Sequence, residues 1–208
     1  MKKYKLYLFD FDGTLCDTTK ALRMVFKESY KAFGYEVSDE DCVVFSREPL
    51  NDSWKRISGS MDHFWDFVDV INHYLNGEES VKMSILYDDV KKLHEDFSKN
   101  NVQFGIVTSN NIPHCKDIYR YNNVDVSKMC VLVGNQECQT PKPSPLPIQT
   151  ALKMLNYQGD LKDVVYVGDS LNDAKAAVNA GVYPILLDRD NIYHDTGYEV
   201  IHSLIELL

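Results

Sequence analysis

The residues best suited to chemistry in this chain are acidic, and they come in pairs. Asp10 and Asp12 follow the apolar, aromatic-rich run Leu6-Tyr7-Leu8-Phe9 and precede Gly13-Thr14. Side chains at i and i+2 of an extended chain leave on the same face, so both carboxylates can start towards one crevice. Crowded carboxylates repel each other, and a metal cation or a shared proton is the physical remedy. Asp10 is then a nucleophile or a metal ligand, and Asp12 is placed to exchange protons as general acid and base. An Asp-Gly turn closing a strand is the competing reading of the same residues. Thr108-Ser109-Asn110 offers hydroxyls and backbone N–H groups at a helix start, suited to a phosphoryl anion or to capping the helix. Lys142 stands between Pro141 and Pro143, which deny it a helix. An ammonium presented rigidly there can neutralise a carboxylate and phosphoryl oxygens, whereas an ordinary loop lysine is simply solvated. Asp169 and Asp173, in Gly168-Asp169-Ser170-Leu171-Asn172-Asp173, add carboxylate to the same crevice. Converging oxygens with no nearby histidine or cysteine favour Mg²⁺. Asp173, one helical turn beyond Asp169, reads as a partner of the ligands or as a ligand through water.

The elements that must hold these groups follow from the hydrophobic pattern. The run that ends at Phe9 reads as a buried strand, and open α/β sheets bind ligands at the carboxyl ends of such strands. Leu22, Val25, Phe26, Tyr30 and Phe33 then recur at helical spacing, with Gly34 as the stop. Ser38 with Asp41 has the pattern of a capping box for a short second helix. Pro49 opens a third, Leu50 to Ser58, ended by Gly59. Phe64, Phe67, Val68, Ile71 and Leu75 form an apolar stripe closed by Asn76-Gly77. About 65 residues of helical pattern therefore separate the first strand from the next strand signal, too many for a plain crossover. The expectation is a helical subdomain at 17–82 inserted into a core made of 1–16 and 83–208.

Beyond the insertion, strands and helices alternate. A helix is predicted over Asp88 to Lys99, a strand over Val102 to Val107, a helix over Pro113 to Tyr121 and a short strand over Cys130 to Val133. A helix over Pro145 to Leu155, a strand over Val164 to Val167, an alanine-rich helix over Ala174 to Ala180 and a strand over Tyr183 to Leu187 complete the series. Asp188 to Gly197 reads as irregular, and Ser203 to Leu208 is too short to place. The alternation predicts an α/β fold: a doubly wound parallel sheet, Rossmann-like and three-layered, with an α-helical insertion.

A chain of 208 residues, 44% hydrophobic and 25% charged, can bury a full core as one domain with a modest insertion. Its net charge of -9 argues against nucleic acid or an anionic membrane as partner. It does not argue against a small anion, because a metal and a lysine can reverse the sign locally. No apolar run approaches membrane-spanning length, and Met1-Lys2-Lys3 leads into a short strand rather than a signal sequence. Cys16, Cys42, Cys115, Cys130 and Cys138 form no C-x-x-C pair, so free thiols in a reducing cytoplasm are expected. Among the scattered histidines, His114 is expected at a surface helix start. Trp54, Trp65 and the phenylalanines of the insertion are expected to form its core. Arg47, in Ser46-Arg47-Glu48-Pro49, is a candidate to grip a second anionic group of a substrate, with a solvated salt bridge as the alternative.

Asp10-Phe11-Asp12-Gly13-Thr14-Leu15 resembles the first motif of the haloacid dehalogenase-like hydrolase superfamily. Gly105-Ile106-Val107-Thr108-Ser109-Asn110, Lys142-Pro143-Ser144-Pro145 and Val167-Gly168-Asp169-Ser170-Leu171-Asn172-Asp173 resemble the others, in order. The resemblance spans nearly the whole chain and is thin only from about Thr18 to Lys82. It implies a Mg²⁺-dependent phosphomonoester hydrolase acting on a small phosphorylated metabolite. Asp10 would be the nucleophile that forms an aspartyl-phosphate, and Asp12 the general acid and base. Thr108 would be the phosphate-binding hydroxyl, with Ser109 and Asn110 beside it and Lys142 stabilising charge. The metal would be held by the Asp10 carboxylate, the Asp12 backbone carbonyl and the Asp169 carboxylate, with Asp173 close by. The helical insertion would be the mobile cap, similar to that of phosphoglycolate phosphatase-like and β-phosphoglucomutase-like members. A carboxylate at Asp12 argues against dehalogenase chemistry.

Two alternatives remain. A β-phosphoglucomutase-like phosphomutase is suggested by Ser46-Arg47-Glu48, but Leu22 stands near the point where that mutase carries a histidine, and Gly168 stands where it carries a glutamate. A phosphate-sensing binding protein would share the acidic cluster, Thr/Ser and Lys, but a receiver-like switch does not place its aspartate on the first strand or insert helices after it. The oligomeric state leaves no signature in the sequence.

Overall fold

The structure, a computed structural model, describes residues 3–46 and 48–208; the expectations for Met1-Lys2 and for Arg47 lie outside the described residues. The chain forms two compact units, one running up to Asp17 and from Leu86 to Leu208, the other Thr18–Ile85.

The first unit, with β3 at its boundary, is built on strands β1 (Leu6–Phe9), β2 (Cys16–Asp17), β3 (Ile85–Leu86), β4 (Gln103–Val107), β5 (Val131–Val133), β6 (Val164–Gly168), β7 (Tyr183–Leu187) and β8 (Glu199–Ile201). Six of them form one parallel sheet in the order β5-β4-β1-β6-β7-β8, while β2 and β3 pair where the chain leaves and re-enters this unit. The chain winds outward from β1 through β4 to β5, then crosses back to β6 on the other side and winds out to β8. The reversal puts a crevice at the carboxyl end of β1, between those of β4 and β6. Register fixes its level, with Phe9 opposite Ile106 on one side and Val167 on the other. The residues that follow each strand (Asp10, Thr108 and Asp169) therefore emerge side by side.

Both faces of the sheet are covered, which is why its central strands read as continuous apolar runs. Leu6 and Leu8 pack with Ile148 and Ala151 of α8 (Leu146–Met154) and with Ala176, Ala177 and Ala180 of α9 (Leu171–Ala180). Tyr7 and Phe9 point the other way, onto Phe97 of α6 (Asp88–Lys99), and Phe11 meets Tyr119 of α7 (Ile112–Tyr121). The expected doubly wound α/β architecture is present. Strand β8 and the 3₁₀ turn Leu204–Leu207, capped by Ser203 with Glu206, extend it at one edge. Helix α9 starts three residues earlier than its alanines suggest, because Ser170 and Asp173 form a capping box.

The second unit comprises α1 (Thr19–Ala32), α2 (Asp39–Phe45), α3 (Leu50–Ser58), α4 (Phe64–Leu75) and α5 (Glu78–Met83). The Ser38–Asp41 capping box and the left-handed Gly59 bound α2 and α3 where the sequence marks them. Trp54 is the centre of the core, stacked on Phe67 at 4.4 Å and on Tyr30 at 6.0 Å between ring centroids. Trp65 corrects the expectation: it is 75% exposed, because it stands one residue off the Phe64-Phe67-Ile71 stripe that α4 turns inward. All five cysteines are free, and no helix of the described residues is long and apolar enough to cross a membrane.

Candidate active site

Asp10 is held at the end of β1 by its N–H, which donates to Val167 O at 2.9 Å, and its side chain is buried. The Lys142 ammonium lies 2.6 Å from Asp10 Oδ1 and 2.5 Å from Asp173 Oδ1, and donates to Tyr166 OH at 3.1 Å. Its three N–H bonds thus have three partners. Tyr166 in turn donates to Val107 O at 2.8 Å, next to Thr108. The Lys142 side chain is only 10% exposed, so the solvated loop lysine, the alternative reading of its sequence, does not describe it. Asp173 is buried, with Lys142 on one oxygen and the Ser170 N–H and hydroxyl on the other, at 3.1 and 2.5 Å.

Asp169 accepts from Thr14 Oγ1 at 3.2 Å. Gly13, at φ +78°, lies so close that a Cβ there would stand 2.3 Å from Asp169 Oδ2. A Cβ on Gly168 would likewise stand 2.3 Å from Asp173 Cβ, so a larger residue before Asp169 would displace the group that holds Lys142. Thr108 is buried and accepts the Asn110 N–H on its hydroxyl at 3.1 Å; Ser109 is exposed. The amide of Asn110 reaches the two Asp12 oxygens, both at 3.4 Å. A cleft of about 250 Å³ opens beside these groups, lined by Thr108, Ser109, Asn135, Gln139, Thr140 and Lys142. His114 is not at the surface: it is buried, with Nδ1 unpartnered among the described residues, and burial pushes its pKa down.

Carboxylate oxygens of Asp10, Asp169 and Asp173 come within 4.8 Å of one another; the Asp12 carboxylate is not part of that cluster. Burial holds the Asp10 carboxyl well above the usual range despite the pull of Lys142, with Asp173, Asp169 and Asp12 adding to the rise. Burial, then Asp173, pushes Asp169 up to about 6. Burial alone would lower the pKa of Lys142, but Asp10 and Asp173 outweigh it and keep the ammonium charged. One ammonium faces three carboxylates, which leaves an excess of negative charge in a buried, oxygen-only site. Such a donor set fits a divalent hard cation. Asp10 and Asp169 are the ligand candidates, since Asp173 has both oxygens engaged by protein groups. Tyr166 and Thr14 are the supporting groups that sequence reasoning missed; a lone tyrosine in an otherwise aliphatic strand is the only signal for the first.

A parallel sheet with these residues at the ends of its central strands defines a class, and residues 7–187 match the haloacid dehalogenase-like hydrolase family. The chain belongs to that family and is an enzyme of its phosphatase kind. It is 27% identical over 181 residues to a candidate pyrophosphatase PpaX of Caldanaerobacter subterraneus, covering 86% of this chain and 80% of that protein. It is 25% identical over 193 residues to a phosphoglycolate phosphatase of Pasteurella multocida, covering 87% and 84%. The crystal structure of a candidate haloacid dehalogenase-like hydrolase from Bacteroides fragilis shares the fold, with TM-score 0.85 and 23% identity over 99% of this chain and 100% of that one.

Proposed function

We propose that the chain is a Mg²⁺-dependent phosphomonoesterase for a small phosphorylated metabolite, working through an aspartyl-phosphate on Asp10. The observation that carries this reading is the buried Asp10–Lys142 ion pair at the sheet's switch point, with Thr108 and Asp169 on the flanking strands. A carboxylate oxygen of Asp10 attacks phosphorus, and the bond from phosphorus to the ester oxygen breaks. Asp12 gives its proton to the departing alcohol, then takes one from the water that attacks the acyl phosphate, releasing inorganic phosphate and regenerating Asp10. Thr108 and Lys142 stabilise charge on the phosphoryl oxygens. Asp10, Asp169 and the Asp12 backbone carbonyl would hold Mg²⁺, which when bound neutralises the carboxylates and phosphoryl oxygens. The helical unit Thr18–Ile85 serves in this reading as a cap inserted after the nucleophile loop. The relatives' names, pyrophosphatase and phosphoglycolate phosphatase, support a small phosphorylated compound as substrate.

The test is phosphate release from a panel of sugar phosphates, nucleotides, pyrophosphate and phosphorylated acids, with Mg²⁺ and with chelator. Metal-dependent release by the wild type, lost in Asp10→Asn, is the expected result. A wild type that releases nothing, or an Asp10→Asn variant that turns over normally, overturns the proposal.

A further inference from the structure

Arg189 follows β7 and belongs to none of the stretches that carry the family resemblance, yet its guanidinium is tied to the catalytic loop. Nη1 donates to Asp89 Oδ2 at 2.9 Å and Nη2 to Asp89 Oδ1 at 3.0 Å, the two-pronged arrangement that fixes a guanidinium plane. Nη2 also donates to the backbone carbonyl of Thr14 at 2.9 Å. The plane is stacked over the Tyr87 ring, 3.8 Å from its centroid. Asp89 is held from its other side by Ser203 Oγ and the Leu204 N–H, each at 2.9 Å. Burial works against its ionisation, but these bonds outweigh it and the carboxyl stays below the usual range. The fork is therefore anchored in the C-terminal segment and in α6, and its free edge reaches the loop that follows β1.

What it grips there matters for the site. Thr14 is the residue whose hydroxyl donates to Asp169, and its neighbour Gly13 packs against the same carboxylate with no room for a Cβ. Asp169 thus sits on the 13–14 loop without slack, and Arg189 fixes the backbone of that loop from the far side. Strand β6, which carries Asp169, runs between β1 and β7, so the arginine spans from β7 to the β1 loop around the residue it steadies. The orientation of the guanidinium is set by the fork to Asp89, the stack on Tyr87 and the bond to the Thr14 carbonyl.

We propose that Arg189 is a positioning residue for the cation site: by holding the Thr14 carbonyl it keeps the Thr14 hydroxyl aimed at Asp169 and so sets that carboxylate for metal. The inference rests on the function proposed above, in which Asp169 is a metal ligand. It gives a residue outside the four motif stretches a defined part in metal affinity.

The test measures Mn²⁺ binding directly by calorimetry, without substrate, on wild type, Arg189→Lys, Asp89→Asn, Thr14→Val and the double variant Arg189→Lys/Thr14→Val. Lysine keeps the charge but cannot form the fork, and Asp89→Asn loosens the fork from its other side while leaving one acceptor, so a folded variant is available even if one of them is unstable. Supporting groups behind a ligand typically contribute tenfold or more in affinity, and about tenfold weaker Mn²⁺ binding is expected in Arg189→Lys and in Thr14→Val. Because the two act in one chain of contacts, the double variant should be no weaker than the worse single one. Melting temperatures, read in parallel, report the separate cost of disturbing a buried ion pair. Folded Arg189 and Asp89 variants that bind Mn²⁺ as tightly as wild type overturn the inference, as does an additive double variant. Those results leave the proposed function standing. A wild type that binds metal but hydrolyses no phosphoester overturns the function and leaves the role of Arg189 to the binding data. A wild type that binds no metal overturns both.

Discussion

Lys142 and Asp10 meet at 2.6 Å, each with about a tenth of its side chain exposed, and a second carboxylate, Asp173, holds the same ammonium from behind. The contact joins two residues separated in sequence by the helical unit and by β4 and β5, and it sets the electrostatics of the crevice. Replacing Lys142 by Met keeps the length of the side chain and removes the charge. The Asp10 carboxyl, already raised by burial, then loses the ammonium that lowers its pKa. We expect Lys142→Met to lower kcat by roughly a hundredfold or more, as for removal of a preorganised charge at a reacting group. It should also lower the melting temperature, because breaking a buried pair costs about 3–5 kcal/mol. Steady-state kinetics and calorimetry on the same sample check both; unchanged kcat would show that the pair is only structural.

Asp173 and Asp169 are both acidic and four residues apart, yet they should fail differently. Both oxygens of Asp173 are used by Lys142 and Ser170, whereas Asp169 faces the crevice with Thr14 as its only side-chain donor among the described residues. Asp169→Asn should weaken metal binding by about 10–100-fold or more. Asp173→Asn should leave metal binding closer to wild type and lower kcat by releasing Lys142. Metal titrations that rank the two variants the other way would reassign Asp173 as a direct ligand.

Much of this arrangement was legible in the sequence because the chemistry sits where regular elements stop. Asp10, Thr108 and Asp169 each follow an apolar run that reads as a buried strand, and a parallel sheet with a reversal of strand order brings such ends together. The bounds of α3 were readable because Pro49 and Gly59 have fixed local meanings; Gly59 is indeed left-handed, at φ +78°. What escaped depends on partners distant in sequence. Strand β8 is three residues long with no alternation of its own, and exists because the edge of β7 offers it hydrogen bonds. The neighbours of Lys142, from Tyr166 to Asp173, come from another strand and helix, and no local pattern announces them. Trp65 is as hydrophobic as the residues of the inward stripe of α4 but stands out of phase with them, and phase decides its exposure.

Gly13 carries no functional group, yet Gly13→Ala should disable the enzyme. Its φ of +78° disfavours any side chain, and the added methyl carbon would fall 2.3 Å from Asp169 Oδ2. The carboxylate must move, and with it the cation site of the proposed function. We expect a loss of metal affinity comparable to that of Asp169→Asn, in a protein with every catalytic side chain intact. Wild-type affinity in Gly13→Ala would mean that the loop can relax away from Asp169.

His94 makes stability depend on pH independently of the active site. It is buried between Phe104 and Tyr119, neither ring nitrogen has a partner among the described residues, and burial lowers its pKa from 6.5 to about 4. The folded state therefore binds its proton less readily than the unfolded state. Stability from this group is full above pH 6.5 and is lost as pH falls from there towards 4. Replacing it by Phe removes the titration with little change of shape. At pH 8 the two proteins should be similarly stable; at pH 5 the His94→Phe variant should be the more stable by about 2 kcal/mol, the equivalent of 1.5 pKa units. Urea unfolding at the two pH values checks this, and equal differences at both would show that His94 reaches solvent.

Asp12 tests the division of labour at the first strand. Its carboxylate lies outside the three-carboxylate cluster and in reach of the Asn110 amide. Asp12→Asn should then leave metal affinity near wild type while slowing both halves of the reaction, because one proton carrier serves departure of the alcohol and attack by water. The two halves can be separated. An activated ester such as p-nitrophenyl phosphate needs no protonation of its leaving group, so for it only the hydrolytic half should suffer, and the phosphorylated enzyme should accumulate. An ordinary alkyl phosphate should show a larger fall in kcat, on the order of 10²–10⁴-fold, with no accumulation. Rapid acid quench followed by intact-mass measurement reads the phosphoenzyme directly. If the variant showed the same loss on both esters and no phosphoenzyme on either, Asp12 would not be the proton carrier.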